Sequence, residues 1–326
     1  MSKSRSWLLS PRPSAIKQPG PLLASDLNTA PFVTLDDLFW LLYLYPLRIL
    51  SAIGSQELIY LLGRLFQFRV KQRRELTASR ILAAPASGIA RDQVSRIARR
   101  LLANSKFRML DDLILSWPSG RRKLRCVGIE GLVHLDRALA AGRGVILLTA
   151  HFCATRVAKS HLASLGYSML TVRDRTPDGE WWGRAGRRIL EPRRRQFLHS
   201  VIGEAVYVQD RSCTLKIFQR LRSAGLVHIH FDGRSGNNSV LWPFLGVPRR
   251  FSTGVFEIIR LSGCAVVPML CLGRSSAFRI RFQPALDIAP ASCRKEFVSA
   301  NLPMFVQTIE KQIRDYPEEW EAWMSF

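Results

Sequence analysis

The sequence has few acidic residues for its length. Its 326 residues include 25 Asp and Glu against 48 Lys and Arg, which gives a formal net charge of +23. Such an excess predicts an acidic partner: nucleic acid, an anionic membrane surface, or an acidic or phosphorylated protein or substrate. It does not indicate the fold, because net charge governs association and solubility rather than chain topology.

Cysteine pairs are also absent from the sequence. The six cysteines are scattered along the chain, and no two are spaced as C-x-x-C. This pattern argues against a zinc ribbon or a disulfide scaffold and fits reduced thiols in the cytosol. Apolar residues make up 47% and charged residues 22%, so the chain can bury a sizeable core and wholesale disorder is excluded.

No hydrophobic run is as long as a membrane span. The most hydrophobic stretch, residues 36–62, contains the ten-residue run Leu38–Leu47, which Pro46 and Arg48 interrupt. That is about half of the roughly 20 residues that a spanning helix needs. The stretch predicts either a pair of helices in the bilayer interface or a buried helical hairpin. We favour the membrane, because the run is apolar on nearly every helical face.

The neighbours of this stretch support a membrane surface. Three aromatic residues would lie at headgroup level, and a basic cluster beyond the stretch would attract anionic cytoplasmic lipids. The aromatic residues are Trp40, Tyr43 and Tyr45, and the basic cluster is Arg69, Lys71, Arg73 and Arg74.

The pattern along the chain predicts four segments. Residues 1–30 are a mobile basic tail without the apolar core of a secretory signal. Residues 31–75 are a hydrophobic helical segment that associates with the membrane, and residues 76–127 are a helical connector. Residues 128–326 alternate helices and strands, which predicts an α/β fold with a mostly parallel central sheet flanked by helices.

Individual elements follow from hydrophobic periodicity. The predicted helices are 90–103, 109–116, 130–141, 155–165, 213–223, 253–261 and 294–314. The predicted strands are 144–150, 167–172, 226–231 and 265–270, and the alternating segment 278–282 is predicted to be an edge strand.

A histidine follows the first buried strand. His151 comes at the point where the strand ends and a helix begins, and ligands of open α/β sheets bind beyond the carboxyl ends of strands. Imidazole titrates near neutral pH, so His151 is a candidate general base, or else a structural residue at the strand end. The nearby Cys153 is a candidate nucleophile or a core residue.

A second polar loop, residues 231–238, follows another strand. Gly233 and Gly236 permit tight turns with exposed amides, and Arg234 offers a planar fork for phosphate or carboxylate. A plain polar loop is the alternative. The apolar residues after it, Trp242 and Phe244, either line an acyl-chain pocket or seal the core.

Two further patterns carry weaker signals. An arginine-rich run with Trp181 and Trp182 is typical of a surface that binds nucleic acid, acidic headgroups or an acidic carrier protein. The run comprises Arg173, Arg175, Arg184, Arg187, Arg188, Arg193, Arg194 and Arg195. His228 and His230 point the same way on a strand and could hold a metal, but no third ligand has suitable spacing, so we predict no metal site.

Taken together, these motifs resemble the bacterial lipid A biosynthesis (lauroyl/myristoyl) acyltransferase family of the lysophospholipid acyltransferase superfamily. The resemblance covers about residues 128–326. It consists of Gly128-x-Glu130, Gly142–Phe152, Asp232-Gly233, Pro243–Pro248, Thr253-Gly254, Ser262–Pro268 and Tyr316–Trp320. The family's layout also includes an apolar N-terminal helical segment.

The resemblance implies transfer of a fatty acyl group from a thioester, on acyl carrier protein or coenzyme A, to a hydroxyl of an anionic membrane lipid or glycolipid. His151 would be the base, and Arg234 the residue that holds phosphate. From the sequence patterns described above we predict Gly233, Arg184, Arg187, Arg188, Trp242 and Phe244 as further substrate-binding residues. No cofactor or metal is implied. The expected location is the cytoplasmic face of the bacterial inner membrane, as a peripheral, monotopic or single-span protein.

One position departs from the family. The H-x4-D/E motif places a carboxylate five residues after the histidine, and here that residue is Arg156. Arginine cannot accept a hydrogen bond, and its charge opposes formation of an imidazolium. We therefore predict that another acid orients His151, with Asp232 and Asp174 as the candidates at strand ends.

Two other functions compete with an active transferase. The first is a catalytically impaired family member that binds lipid or carrier protein, for which Arg156 is the argument. The second is a basic nucleic-acid-binding protein, which rests on charge alone and leaves residues 38–62 unexplained.

Overall fold

The computed structural model of the chain describes residues 32–33, 71–115, 127–174, 188, 203–233, 238–273 and 278–326. The predicted tail and most of the predicted membrane-associating segment lie outside these residues. The division of the chain into four segments therefore stays a prediction. Among the described residues, no helix combines the length and the apolar content that crossing a membrane requires.

The described residues form nine strands and seven α-helices, which alternate along most of the chain. The strands are β1 (Gly128–Glu130), β2 (Val145–Thr149), β3 (Met169–Arg173), β4 (Ala205–Tyr207), β5 (Leu226–His230), β6 (Ser239–Phe244), β7 (Val247–Ser252), β8 (Ala265–Leu272) and β9 (Arg279–Phe282). The helices are α1 (Lys71–Leu82), α2 (Arg91–Leu115), α3 (Leu132–Ala140), α4 (Thr155–Ser164), α5 (Cys213–Arg222), α6 (Gly254–Ser262) and α7 (Arg294–Asp315).

Seven strands form one central sheet in the order β1-β9-β8-β2-β5-β3-β4. Neighbouring strands are parallel except for β8 and β9, which pair in antiparallel fashion. The predicted α/β fold with a mostly parallel central sheet is therefore confirmed. In the middle of the sheet, β2 is buried along its whole length, as expected for a strand that is covered on both faces.

The two faces of the sheet pack against different helices. Alternate strand residues such as Leu147 and Leu226 pack with α3 and α4 in one hydrophobic cluster. Their neighbours Ile146 and Val227 pack with α5, α6 and α7 in another. Residues of α1 and α2 belong to this second cluster, so the helices before residue 127 share the core of the sheet.

Three differences between the predicted and observed elements have a structural explanation, and the three-residue strands β1 and β4 also lie where we predicted no strand. Strand β9 is not at an edge, because the three-residue strand β1 pairs with it from outside. Residues 91–115 form one helix instead of two: the buried Asn104 lies inside it, where its side-chain amide donates to the carbonyl of Glu318 at 3.0 Å.

The third difference is the β6–β7 hairpin, which lies in a segment where we predicted no strand. Its turn places Leu245 and Gly246 at positive φ, 51° and 87°, a conformation that hairpin turns of two residues require. A Cβ on Gly246 would lie 2.8 Å from Pro85 Cγ. A leucine at such a turn is unusual, so the segment lacks the residue pattern from which a hairpin is normally predicted.

Candidate active site

Strand pairing brings His151 and Asp232 together. Thr149, the last residue of β2, is the register partner of His230, the last residue of β5. His151 and Asp232 each come two residues later, so they emerge side by side at the carboxyl edge of the sheet. Nδ1 of His151 lies 2.7 Å from Oδ1 of Asp232.

The carboxylate of Asp232 is fully buried and accepts hydrogen bonds on both oxygens. Oδ2 accepts from the backbone N–H of His151 at 3.0 Å and from the indole N–H of Trp320 at 2.7 Å. Burial by itself would raise the pKa of Asp232, but the charge of His151 and the hydrogen bonds from His151 and Trp320 outweigh burial and hold that pKa below its ordinary value. The group is therefore a carboxylate at neutral pH.

An ionised carboxylate fixes the tautomer of His151. It can only accept a hydrogen bond, so Nδ1 carries the proton and donates it to Asp232. In the neutral form of the ring, the other nitrogen, Nε2, then has a lone pair. The His151 side chain is 44% exposed while that of Asp232 is 0% exposed. This is the division of roles that a general base and its orienting group require.

A second imidazole stacks on the first. The rings of His151 and His230 have centroids 4.1 Å apart and planes within 15° of parallel. Burial, followed by the charges of His151, His228, Lys159 and Arg156, holds the pKa of His230 well below its ordinary value. A neutral ring therefore packs against the face of His151 and limits its rotation.

Two residues contribute to this site in ways that the sequence did not predict. Trp320 is fully buried, and its neighbours hold the turn after β2, because Glu321 N–H donates to the carbonyl of His151 and Cys153 N–H donates to that of Glu319. Arg249 on β7 donates to the backbone carbonyl of Asp232 at 2.6 Å. Trp320 is part of the closing motif Tyr316–Trp320, so the resemblance offered a signal for it, whereas nothing local singles out Arg249.

Replacing Trp320 with phenylalanine tests the role of the indole N–H. We expect a loss of about 1–3 kcal/mol in the free energy of unfolding, because a buried carboxylate oxygen loses one donor. We also expect turnover to fall about tenfold, the equivalent of ~1.4 kcal/mol of lost positioning. Denaturant unfolding measures the first effect, and initial rates of turnover measure the second.

Trp323→Phe is the matched control for this change. Trp323 is equally buried, but its indole N–H donates to the carbonyl of Pro317 at 3.1 Å. We expect similar destabilisation with little loss of turnover. Equal losses of turnover in both variants would mean that Trp320 acts through stability alone.

His151 opens onto a cavity of about 720 Å³ at the carboxyl edge of the sheet. Because strand residues alternate between faces, the sheet edge divides the cavity wall into two chemically different sides. The side next to α4, here called the cationic side, includes Arg156, Lys159, Thr171, Arg173 and His230. The side next to α5 and α6, here called the apolar side, includes Val172, Ile217, Ile229, Val255 and Ile258.

The other predicted site residues are distributed as follows. Asp174 lines the same cavity and accepts a hydrogen bond from Gln209 Nε2, while the acceptor for His151 Nδ1 is Asp232. Gly233 also lines the cavity. Arg188 is exposed. Arg184, Arg187 and Arg234 lie outside the described residues.

The structure does not place Trp242 and Phe244 among the residues that line the cavity. Phe244 is fully buried and packs edge to face against Phe251 and Trp320. Trp242 packs against the same core cluster. The β6–β7 hairpin turns Phe244 into the core, so this residue seals the core instead of lining the predicted acyl-chain pocket.

Arg156 lies in the first turn of α4 and contributes to the cavity wall, half-buried. The carboxylate beside His151 is thus that of Asp232, which follows β5, and not one at position 156 on α4. Cys153 also lines the cavity and is buried in the core.

His228 and His230 lie on the same face of β5 with ring centroids 4.6 Å apart, edge to face. In the part of the chain that the structure describes, no cluster of three or more His, Cys, Asp or Glu side chains is arranged to hold a metal ion.

These features define an α/β protein whose site presents a partly exposed histidine, hydrogen-bonded to a buried aspartate, to a cavity with one cationic and one apolar side. The chain belongs to the bacterial lipid A biosynthesis acyltransferase family, whose model matches residues 37–325. The family predicted from the motifs is thereby confirmed, and membership supports a transferase of the lipid A acyltransferase type. No curated protein matches the chain.

Proposed function

We propose that the protein transfers a fatty acyl group from a thioester, on acyl carrier protein or coenzyme A, to a hydroxyl of a membrane lipid or glycolipid. The observation that carries the proposal is the hydrogen bond of 2.7 Å between His151 Nδ1 and the buried carboxylate of Asp232 at the edge of the cavity. It supplies the orienting acid whose usual position is occupied by Arg156.

The proton transfers follow from this pair. Nε2 of His151 removes the proton of the acceptor hydroxyl while the hydroxyl oxygen attacks the thioester carbonyl. Asp232 stabilises the imidazolium that forms. When the tetrahedral intermediate collapses, the C–S bond breaks and the departing sulfur takes the proton from Nε2. The products are an ester and a free thiol, and His151 returns to its starting form.

The negative charge on the carbonyl oxygen needs a hydrogen-bond donor near the base. Gly233 follows Asp232 directly and lines the cavity, so its backbone N–H is the candidate oxyanion donor. Amides that are held in place before the reaction stabilise such a charge more effectively than water does.

The apolar side of the cavity is suited to the acyl chain. Ile217 from α5 and Ile258 from α6 face the cavity together with Ile229 from the sheet. Each methylene buried in such a site contributes roughly 0.8 kcal/mol. Chain length would then be selected by the depth of this side, which these three residues set.

A bulkier side chain at Ile217 tests this assignment. In Ile217→Phe we expect shorter acyl donors to be preferred, with turnover of the longest donor falling about tenfold or more for each methylene that no longer fits. Leu215→Phe is the control, because Leu215 on the same helix is 60% exposed. An unchanged order of donor preference in Ile217→Phe would place the chain elsewhere.

We place the reaction at the cytoplasmic face of the bacterial inner membrane. The hydrophobic residues 36–62 and the basic cluster that follows them support association with an anionic leaflet. A flotation assay with anionic vesicles, with and without residues 36–75, tests this location. Equal flotation of the two chains would exclude these residues as the membrane-binding element.

The transfer itself is tested with acyl carrier protein that carries a radiolabelled acyl group. Purified protein is incubated with this donor and a membrane lipid extract, and labelled lipid is separated and identified by mass spectrometry. We expect label in one lipid class that depends on the protein. No transfer from either the carrier-protein donor or the coenzyme A donor would refute the proposal.

The second candidate is a family member that binds lipid or carrier protein without turnover, and the identity of residue 156 is what favours it. If the missing carboxylate had silenced the site, Arg156→Glu would create activity. We expect no gain over the wild-type chain, because His151 Nδ1 already donates to Asp232. A large rise in acyl transfer in Arg156→Glu, measured against Arg156→Gln, would favour the second candidate.

A further inference from the structure

The cationic side of the cavity has no role in the proton transfers described above. Arg156 and Lys159 are three residues apart on α4 and therefore project from the same helical face. Arg173, at the end of β3, lines the same side. Lys159 is only 4% exposed, which is rare for lysine.

Polar groups continue beneath these three cations. Thr171 and His228 are register partners on β3 and β5 and are 1% and 0% exposed. Thr171 Oγ1 and both ring nitrogens of His228 have no hydrogen-bond partner among the described residues. The α4 side of the sheet edge is thus a polar site below a row of positive charge.

Four acidic residues also line the cavity: Asp174, Asp210, Asp232 and Glu321. Asp232 is the partner of His151. Asp174 follows Arg173 in the chain and accepts from Gln209. The charge of Asp210, in addition to burial, raises the pKa of Cys213 at the start of α5. Beyond burial, the pKa of His230 is lowered by His151, His228, Lys159 and Arg156, so the charges of Lys159 and Arg156 reach this ring.

We propose that Arg156, Lys159 and Arg173 form a binding subsite for a phosphate group of the substrate, on the α4 side of His151. Arginine presents a planar fork of donors that matches phosphate, and lysine adds a compact charge. The arginine at the H-x4-D/E position therefore binds an anion, where the family motif has an acid that orients the histidine. The identity of the substrate that binds at this subsite rests on the proposed function, whereas the binding of a phosphate group there does not.

Two sources could supply the phosphate: the pantetheine arm of the donor or a phosphorylated sugar of the acceptor. Binding of small probes to the full-length chain, measured by titration calorimetry, separates them. One pair is pantetheine 4′-phosphate against pantetheine. The other is N-acetylglucosamine 1-phosphate against N-acetylglucosamine.

In the wild-type chain we expect the phosphorylated member of at least one pair to bind about tenfold to a hundredfold more tightly than its partner, as charge-assisted hydrogen bonds contribute. The pair that shows the preference identifies the source. Arg156→Gln and Lys159→Met should each remove it. Because Arg156 is only half-buried, its variant keeps the test valid if Lys159→Met fails to fold.

Arg137→Gln is the control, since it removes one positive charge from an exposed position on α3 and should keep the preference. No phosphate preference in the wild-type chain, or a preference that survives Arg156→Gln, would overturn the subsite. The assay needs no turnover. Phosphate binding without acyl transfer would therefore refute the proposed function but support the subsite. Acyl transfer without a preference for the phosphorylated probes would support the proposed function but refute the subsite.

Discussion

Replacing His151 with alanine is expected to lower the rate of acyl transfer by about 10²- to 10⁴-fold, the range that a positioned general base contributes. The reason is the loss of Nε2, the atom to which the acceptor hydroxyl gives its proton. The effect should appear in kcat, with the KM of the donor little changed, because the apolar side of the cavity and the cationic side remain intact. Initial rates with radiolabelled acyl carrier protein measure it.

The matched control is His134→Ala. His134 lies on α3, and it does not belong to the cavity wall described above. This variant also loses one imidazole, but outside the cavity, so it should retain wild-type turnover. A His151→Ala protein that folds normally and transfers acyl groups at the wild-type rate would eliminate the mechanism.

Replacing Asp232 with asparagine is expected to be nearly as damaging. Two donors, His151 N–H and Trp320 Nε1–H, point at Oδ2. The amide oxygen of the substituted side chain would therefore take that place and turn its NH₂ group toward His151 Nδ1. Nδ1 must then accept, the proton moves to Nε2, and the base is lost. In serine proteases the same change lowers turnover by about 10⁴-fold.

Three measurements separate this tautomer effect from a structural one. The unfolding midpoint should show that the Asp232→Asn chain is folded. The KM should change far less than kcat. Asp232→Glu, which keeps an acceptor, should recover part of the rate. Asp174→Asn is the comparison within the same cavity, and a larger loss in that variant than in Asp232→Asn would assign the orienting role to Asp174.

Much of the site was accessible from local sequence. Buried strands followed by polar residues predicted that His151 and Asp232 lie at the carboxyl edge of a parallel sheet, and the structure has both of them there. What local sequence left open was which of the two candidate acids lies beside the histidine. That depends on β5 lying next to β2, a pairing between segments 81 residues apart.

The contributions of Trp320 and Arg249 could not be derived in this way. Trp320 reaches Asp232 across 88 residues of chain, and Arg249 reaches it from a hairpin whose turn carries an unusual leucine. Strand β1, three residues long, is too short to leave a periodic signal. Because we did not predict β1, we predicted that β9 is an edge strand.

Hydrophobic periodicity is a local property of the chain, and it was sufficient to predict the class of the fold and the two polar residues that follow the central strands. The family was predicted from the resemblance of the motifs. Three other features required the folded chain: Asp232 is the partner of His151, Phe244 belongs to the core, and Arg156 lines a cationic wall. Strand order, register and the choice of sheet face are set by contacts between distant segments, and no local pattern encodes them.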